Sequence, residues 1–287
     1  PSFSSVFPNS LAAGTGICQM CIMSKPRGRS LRCPCYAGAV AILWRRDSGG
    51  TRYEVRSHGA TRRLVSDGVF HSAWNSRSGL TGRAWDLFLP AAFSLAVPPR
   101  RVLVLGIGAG AVLLQYRRFL DPAVLVGVDL DPVHLELGRR FFGLDDARAE
   151  IVLADARDWV AEWRGAPFDL VIEDLYGHVS GEPERAVAMT AGWARQLARL
   201  VAPGGALVVN FISTRELRDS ALVATAAGRR PWPSAFCFRA PRDENAVAAF
   251  CRAPTSTGAI RERLRRVPAL DDRRRTCRLR YTVRGLW

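Results

Sequence analysis

Lysine is almost missing from this chain of 287 residues. It occurs once, at Lys25, so arginine carries nearly all of the 41 basic positions and the formal net charge is +15. A charge of that sign and size invites a nucleic-acid reading. The near-exclusive use of arginine instead indicates a coding bias spread over the surface. The densest stretch, "RERLRRVPALDDRRRTCRLRYTVR", contains no RNA- or DNA-binding motif and reads as a solvated basic face. Long apolar runs are lacking too: "VLVLGIGAGAVLL" is broken by glycines and reads as strand plus turn rather than a membrane span. No internal repeat and no secretory-signal pattern is found, which makes the cytoplasm the expected compartment and leaves no membrane partner.

Cysteine is sparse, and four of the seven fall at Cys18, Cys21, Cys33 and Cys35. A CxxC followed by two further cysteines is a candidate zinc site, but the CxC half has poor knuckle geometry. The stretch "MSKPRGRS" from Met23 also reads as a natural start, which removes half of that site. No metal is expected.

What the chain does have is a change of period. Residues 1–35 look irregular. Residues 36–96 alternate short apolar runs with turn formers at 48–50 and 66–68, and end in the helical pattern "GRAWDLFLPAAFSLA". This reads as a small antiparallel β-domain plus a linking helix. From 97 to 260, strand and helix patterns alternate, including a helix over "EPERAVAMTAGWARQLARLV" and a closing hairpin from "PSAFCFRA" and "NAVAAFCRA". Alternation predicts an α/β domain with a doubly wound, mainly parallel sheet, whose ligands bind at the carboxyl ends of the strands. Residues 261–287 form an arginine-rich tail.

The candidate site lies on "RVLVLGIGAGAVLLQYRRFLDPAVLVGVDLDP". Gly106, Gly108 and Gly110 follow a buried strand and allow a ligand close to the backbone and the next helix. Asp129 ends the next strand, where an acid holds ribose hydroxyls. Asp155 in "LADAR" is placed to accept from an adenine amino group, and Asp174 in "VIEDLYGH" stands at the pocket mouth. Acids ending three successive strands after a glycine turn are the layout of S-adenosylmethionine-type transferases. His71, Trp85 and Tyr176 are further candidates for contact with ligand, each balanced by an ordinary packing role; His134 reads as a surface or packing residue.

From about Thr61 to Ile212 the chain resembles the spermidine synthase (polyamine aminopropyltransferase) family. The resemblance rests on "RRLVSDGVFHSAW", "GRAWDLFLPAAF", "VLVLGIGAGA", "VGVDLDP" and "FDLVIEDLYG". It implies S-adenosylmethionine or its decarboxylated form as co-substrate, an amine or polyamine acceptor, and a homodimer. By position it implies donor contacts at Gly106, Gly108, Gly110, Asp129, Asp155 and His71. Asp174 becomes the catalytic carboxylate and Asp86 carries over beside it; apart from the resemblance, Glu173 next to Asp174 adds to a local acidic field for an amine, and Tyr176 is a candidate for lining the substrate pocket. Three positions depart from the family: its glycine-turn aspartate is Ala109, its second aspartate after the catalytic one is Gly177, and its hairpin glutamine is His71. An acid in the turn would hold an amine-bearing donor tail, so Ala109 weighs toward methyl transfer where the resemblance weighs toward aminopropyl transfer. A non-catalytic, ligand-binding relative is the third reading.

Overall fold

The computed structural model describes residues 40–179, 182–241 and 243–287. The cysteines at 18, 21, 33 and 35 lie outside the described residues; Cys237, Cys251 and Cys277 are buried free thiols. The small β-domain is a four-stranded antiparallel meander: β1 (Ala41–Ser48), β2 (Thr51–His58), β3 (Thr61–Ser66) and β4 (Val69–Asn75). Its hairpins turn where expected. Gly49 and Gly50 have φ of +58° and +83°, and Asp67 and Gly68 +47° and +89°, as tight β-hairpin turns require.

A single 3-10 turn (Ala84–Leu87) runs into α1 (Phe88–Ala92), shorter than the expected linking helix. The α/β region follows as β5 (Arg101–Leu105), α2 (Ala111–Phe119), β6 (Val124–Asp129), α3 (Pro132–Leu137), β7 (Glu150–Leu153), α4 (Ala156–Glu162), β8 (Phe168–Glu173), the hairpin β9 (Tyr176–Val179) and β10 (Glu182–Arg185), α5 (Ala191–Leu200) and β11 (Val201–Phe211). Short helices α6 (Thr214–Asp219), α7 (Ala221–Ala224) and α8 (Ala226–Arg229) lead to β12 (Ser234–Arg239), β13 (Ala246–Cys251), α9 (Thr257–Arg265) and β14 (Thr282–Gly285).

The main sheet has the order β14-β12-β13-β11-β8-β5-β6-β7. Strands β11, β8, β5, β6 and β7 are parallel, while β13, β12 and β14 join antiparallel. A continuous apolar strand such as "RVLVL" is what burial on both faces demands. Val102 and Val104 pack into one core with α1–α3 and α9; Leu103 and Leu105 pack into the other with α4 and α5. Asp131 caps α3, its Oδ1 accepting from Val133 N at 2.8 Å, with Pro132 at the first helical position.

Two sequence expectations change. The stretch from Glu182 does not begin a helix: Glu182–Arg185 is a strand and α5 starts only at Ala191, capped by Thr190. The arginine-rich segment is not a separate tail. β14 pairs with β12, and Leu270, Cys277, Leu279 and Val283 enter the core. Among the described residues, no helix is long and apolar enough to cross a membrane.

Candidate functional site

A cleft of about 750 Å³ opens at the carboxyl ends of β5, β6, β8 and β11 and is roofed by the β3–β4 turn and the β9–β10 hairpin. Gly106 and Gly108 form its floor, with φ of +81° and +52°. A methyl group on Gly108 would stand 2.6 Å from the His71 carbonyl oxygen, and one on Gly106 would collide with the Asp174 carbonyl. These glycines let the loop fit between the backbone at His71 and that at Asp174. Gly110 has a different task. It does not line the cleft; its φ of +85° and the Leu144 side chain against it make it a packing position at the start of α2.

Asp129 is the hinge of the loop. Its Oδ2 accepts from Ile107 N at 2.8 Å and Gly108 N at 2.7 Å, and its Oδ1 from Asp131 N at 3.0 Å. A carboxylate offers about four acceptor positions; two accept from the loop and one from the Asp131 amide, which leaves one on Oδ1 without a backbone donor. Burial pushes its pKa up, against the pull of His134 and these three donors. Asp129→Ala should therefore cost the loop as well as a ligand contact. Calorimetric titration with S-adenosylmethionine is expected to show binding weakened at least about 100-fold. An unchanged affinity would remove Asp129 from the donor site.

His134 was not expected here. It is buried beneath Asp129 and Asp131, with Nε2 3.1 Å from Ser66 Oγ and 3.4 Å from Asp131 Oδ2. Its ring lies 4.8 Å from that of His71, and both residues line the cleft. Tyr53 donates to Asp131 Oδ2 at 2.8 Å, tying the β-domain to the α/β domain at this point.

Asp155 caps α4 and lines the cleft, but Arg157 clasps both of its oxygens and holds its pKa below the ordinary carboxylate value. Asp174 lines the centre of the cleft, accepting from Asn210 Nδ2 at 2.8 Å. Burial pushes its pKa up to about 6. Asn245 Nδ2 in turn donates to Asn210 Oδ1 at 3.1 Å. Asn210 interrupts a buried apolar strand one residue before its end, near the carboxyl end as Asp129 is in β6, and that was the signal available in the sequence.

Tyr176 lines the cleft with its ring, while its hydroxyl donates to the Asn210 carbonyl at 3.0 Å. Glu173 and Asp86 do not reach the cleft. Glu173 is fully buried and held by Arg185 at 2.8 and 2.9 Å, with burial pushing its pKa up to about 7. Arg185 also reaches Glu216 and the Asn210 carbonyl, so it locks β10 to the sheet from behind the site. Asp86 is buried under Thr81 N, Gly82 N and Gln115 Nε2, where it braces the linker. The cleft itself is lined by five carboxylates (Asp129, Asp131, Asp155, Asp174, Asp243) and two guanidinium groups, Arg83 and Arg157, each paired with one of those acids. A basic protein has an acidic cleft.

Comparison with known proteins agrees with this architecture. Residues 102–205 match the family model described as "Methyltransferase domain". A polyamine aminopropyltransferase of Aeropyrum pernix is 29% identical over 171 residues, covering 58% of this chain and 53% of that protein. The chain thus spans about half of that relative's length. The crystal structure of spermidine synthase from Thermotoga maritima superposes with a TM-score of 0.58 at 16% identity, covering 79% of this chain and 78% of that one. Human methyltransferase-like protein 13, solved in complex with SAH, superposes at 0.54 with 19% identity, covering 62% and 87%. Over residues 102–205 the chain is thus similar to proteins that carry a methyltransferase domain. Over part of its length the chain is similar in sequence to polyamine aminopropyltransferases, and it shares the fold of spermidine synthase.

Proposed function

We propose that the chain is a transferase moving a group from an S-adenosyl sulfonium donor to an amine, and that the group is aminopropyl. The observation that carries this reading is the cleft's surplus of carboxylates within a chain of net charge +15. Such a cleft attracts a cationic acceptor that the rest of the surface repels. It equally favours a donor whose tail ends in an amine over one whose tail carries a carboxylate. The glycine floor and the remaining acceptor position on Asp129 suit a nucleoside donor. In the transfer, the neutral amine attacks the carbon next to sulfur, the carbon–sulfur bond breaks with its electron pair going to sulfur, and the proton released from nitrogen passes to Asp174. Positioning of the two reactants supplies much of the rate, and Asp174 adds general-base assistance.

Methyl transfer is the second reading. It is favoured by Ala109, which is fully buried and offers no acid to an amine-bearing tail, and by a 28% identical relative named as an eEF1A lysine and N-terminal methyltransferase homolog in Drosophila melanogaster. Mass spectrometry on an incubation with S-adenosylmethionine, its decarboxylated form and a panel of amines separates the two. Methylthioadenosine with a lengthened amine is the expected result. S-adenosylhomocysteine with a methylated amine would replace the main reading by the second.

A further inference from the structure

Three side chains form a row across the main sheet at the carboxyl ends of β8 and β11. In that parallel pair Ile172 lies opposite Val208 and Glu173 opposite Val209. The next residues, Asp174 and Asn210, are therefore neighbours on one face, since side chains alternate along a strand. Strand β13 runs antiparallel beside β11, with Asn210 opposite Val247. Asn245, two positions before Val247, shares that face just ahead of the strand. Asn245 Nδ2 donates to Asn210 Oδ1 at 3.1 Å, and Asn210 Nδ2 donates to Asp174 Oδ1 at 2.8 Å.

Asn210 has little freedom. It is 7% exposed, and its carbonyl oxygen accepts from both Tyr176 and Arg185. What its backbone leaves open is the sense of the side-chain amide. An amide offers an oxygen on one side and an NH2 on the other, and half a turn exchanges them. With the NH2 toward Asp174, the amide stabilises the ionised carboxylate. With the oxygen toward it, the amide repels that form and accepts from the protonated one. A donor on Asn210 Oδ1 selects the first arrangement, and Asn245 supplies it.

We infer that Asn245 is a positioning residue: acting through Asn210, it orients the amide that keeps Asp174 ionised and engages its Oδ1, so that Oδ2 is the oxygen left to take the proton. This deepens the reading of Asp174 as the proton acceptor and rests on it. Burial pushes the Asp174 pKa up to about 6, while the Asn210 hydrogen bond pulls it down. Arg185 from β10 also lowers it, and Asp129 from β6 raises it. Glu173, Tyr176, Glu216 and the Arg83-bound Asp243 stand around the same corner. A substitution at Asn245 changes none of these groups.

The test titrates the Asp174 carboxyl directly, by carbon-13 NMR of the full chain labelled at the aspartate side-chain carboxyls. Its resonance is the one lost in Asp174→Asn, and the wild-type midpoint should fall near 6. Asn245→Ala should raise that midpoint by at least about half a unit, and Asn210→Ala by about one to two units. Asn245→Asp keeps the shape of the side chain but offers Asn210 only an acceptor, so it should raise the midpoint further than Asn245→Ala. The effect of its bare charge is read separately in the Asn210→Ala background. In that background Asn245→Ala should add less than about 0.2 of a unit, because the residue it acts through is gone. In turnover of decarboxylated S-adenosylmethionine with 1,4-diaminobutane, the acid limb of kcat should move with the midpoint while KM stays within about twofold. A purely structural role would scale kcat without moving the limb. An unmoved or lowered midpoint in Asn245→Ala, or a shift of equal size without Asn210, overturns the assignment. The two readings fail separately, because the titration needs no substrate. An Asn245-dependent midpoint without any group transfer removes the transferase proposal alone, and transfer with an unmoved midpoint removes the positioning role alone.

Discussion

Asp174→Asn is expected to leave donor affinity within about twofold of wild type while kcat falls by about 10²- to 10⁴-fold, the range that general-base assistance supplies. The substitution keeps the shape of the side chain and its contact with Asn210 Nδ2, so only the capacity to take a proton is lost. Wild-type turnover in a single-turnover measurement would sink the assignment. The raised pKa of about 6 fixes the acid limb of the rate. Below pH 6 Asp174 is protonated and activity declines with it, and in Asp174→Asn that limb disappears from the residual rate.

The same shift has a consequence for stability, with its sign fixed by linkage. The carboxyl of Asp174 titrates near 6 when folded against an ordinary value of 3.8, and that of Glu173 near 7 against 4.5. Between pH 4 and 7 the folded chain therefore binds more protons at these two groups than the unfolded chain. Their contribution makes the fold less stable as pH rises through that window. Asp174→Asn should accordingly melt at a higher temperature than wild type at pH 8, and a lower one would contradict the shift.

Arg185→Met should be the most destabilising single change at the site, costing about 3–5 kcal/mol. Glu173 is fully buried and depends on Arg185 for its charge compensation. Removing the guanidinium strands a carboxylate in the sheet and frees the β9–β10 hairpin, because Arg185 also engages Glu216 and the Asn210 carbonyl. The double variant Arg185→Met/Glu173→Gln removes the stranded charge and should recover a large part of the loss. Urea denaturation of the two variants measures this directly. A single variant as stable as wild type would show that the buried pair contributes nothing.

The alternation of periods made the two larger sheets legible in the sequence, and so were the acids at the carboxyl ends of β6, β7 and β8: Asp129 is the last residue of its strand, and Asp174 and Asp155 follow theirs by one and two positions. The hairpin β9–β10 was hidden. Its residues flank a helix with good propensity, and what makes Glu182–Arg185 extended is a partner strand and a buried ion pair, neither visible along the chain. Glu173 and Asp174 illustrate the same limit. Adjacent residues on a strand point to opposite faces, and only the sheet decides which of two acids meets the cleft and which meets Arg185. Asp86 looked equally available, but Gln115 and two backbone amides take its oxygens. His134, Asn245 and the Arg83–Asp243 pair come from separate elements that fold brings together, and pairs of that kind leave no local pattern.

The two wings of the cleft have different origins in the chain. One wing is a continuous run from β5 to the start of α4, and the matched family model, residues 102–205, takes in all of it after Arg101. The other wing is assembled from Arg83, the β9–β10 hairpin, Asn210 and the turn before β13, and all of it but the hairpin lies beyond that match. A substitution in the second wing therefore reshapes the cleft without touching most of the segment that the family model recognises.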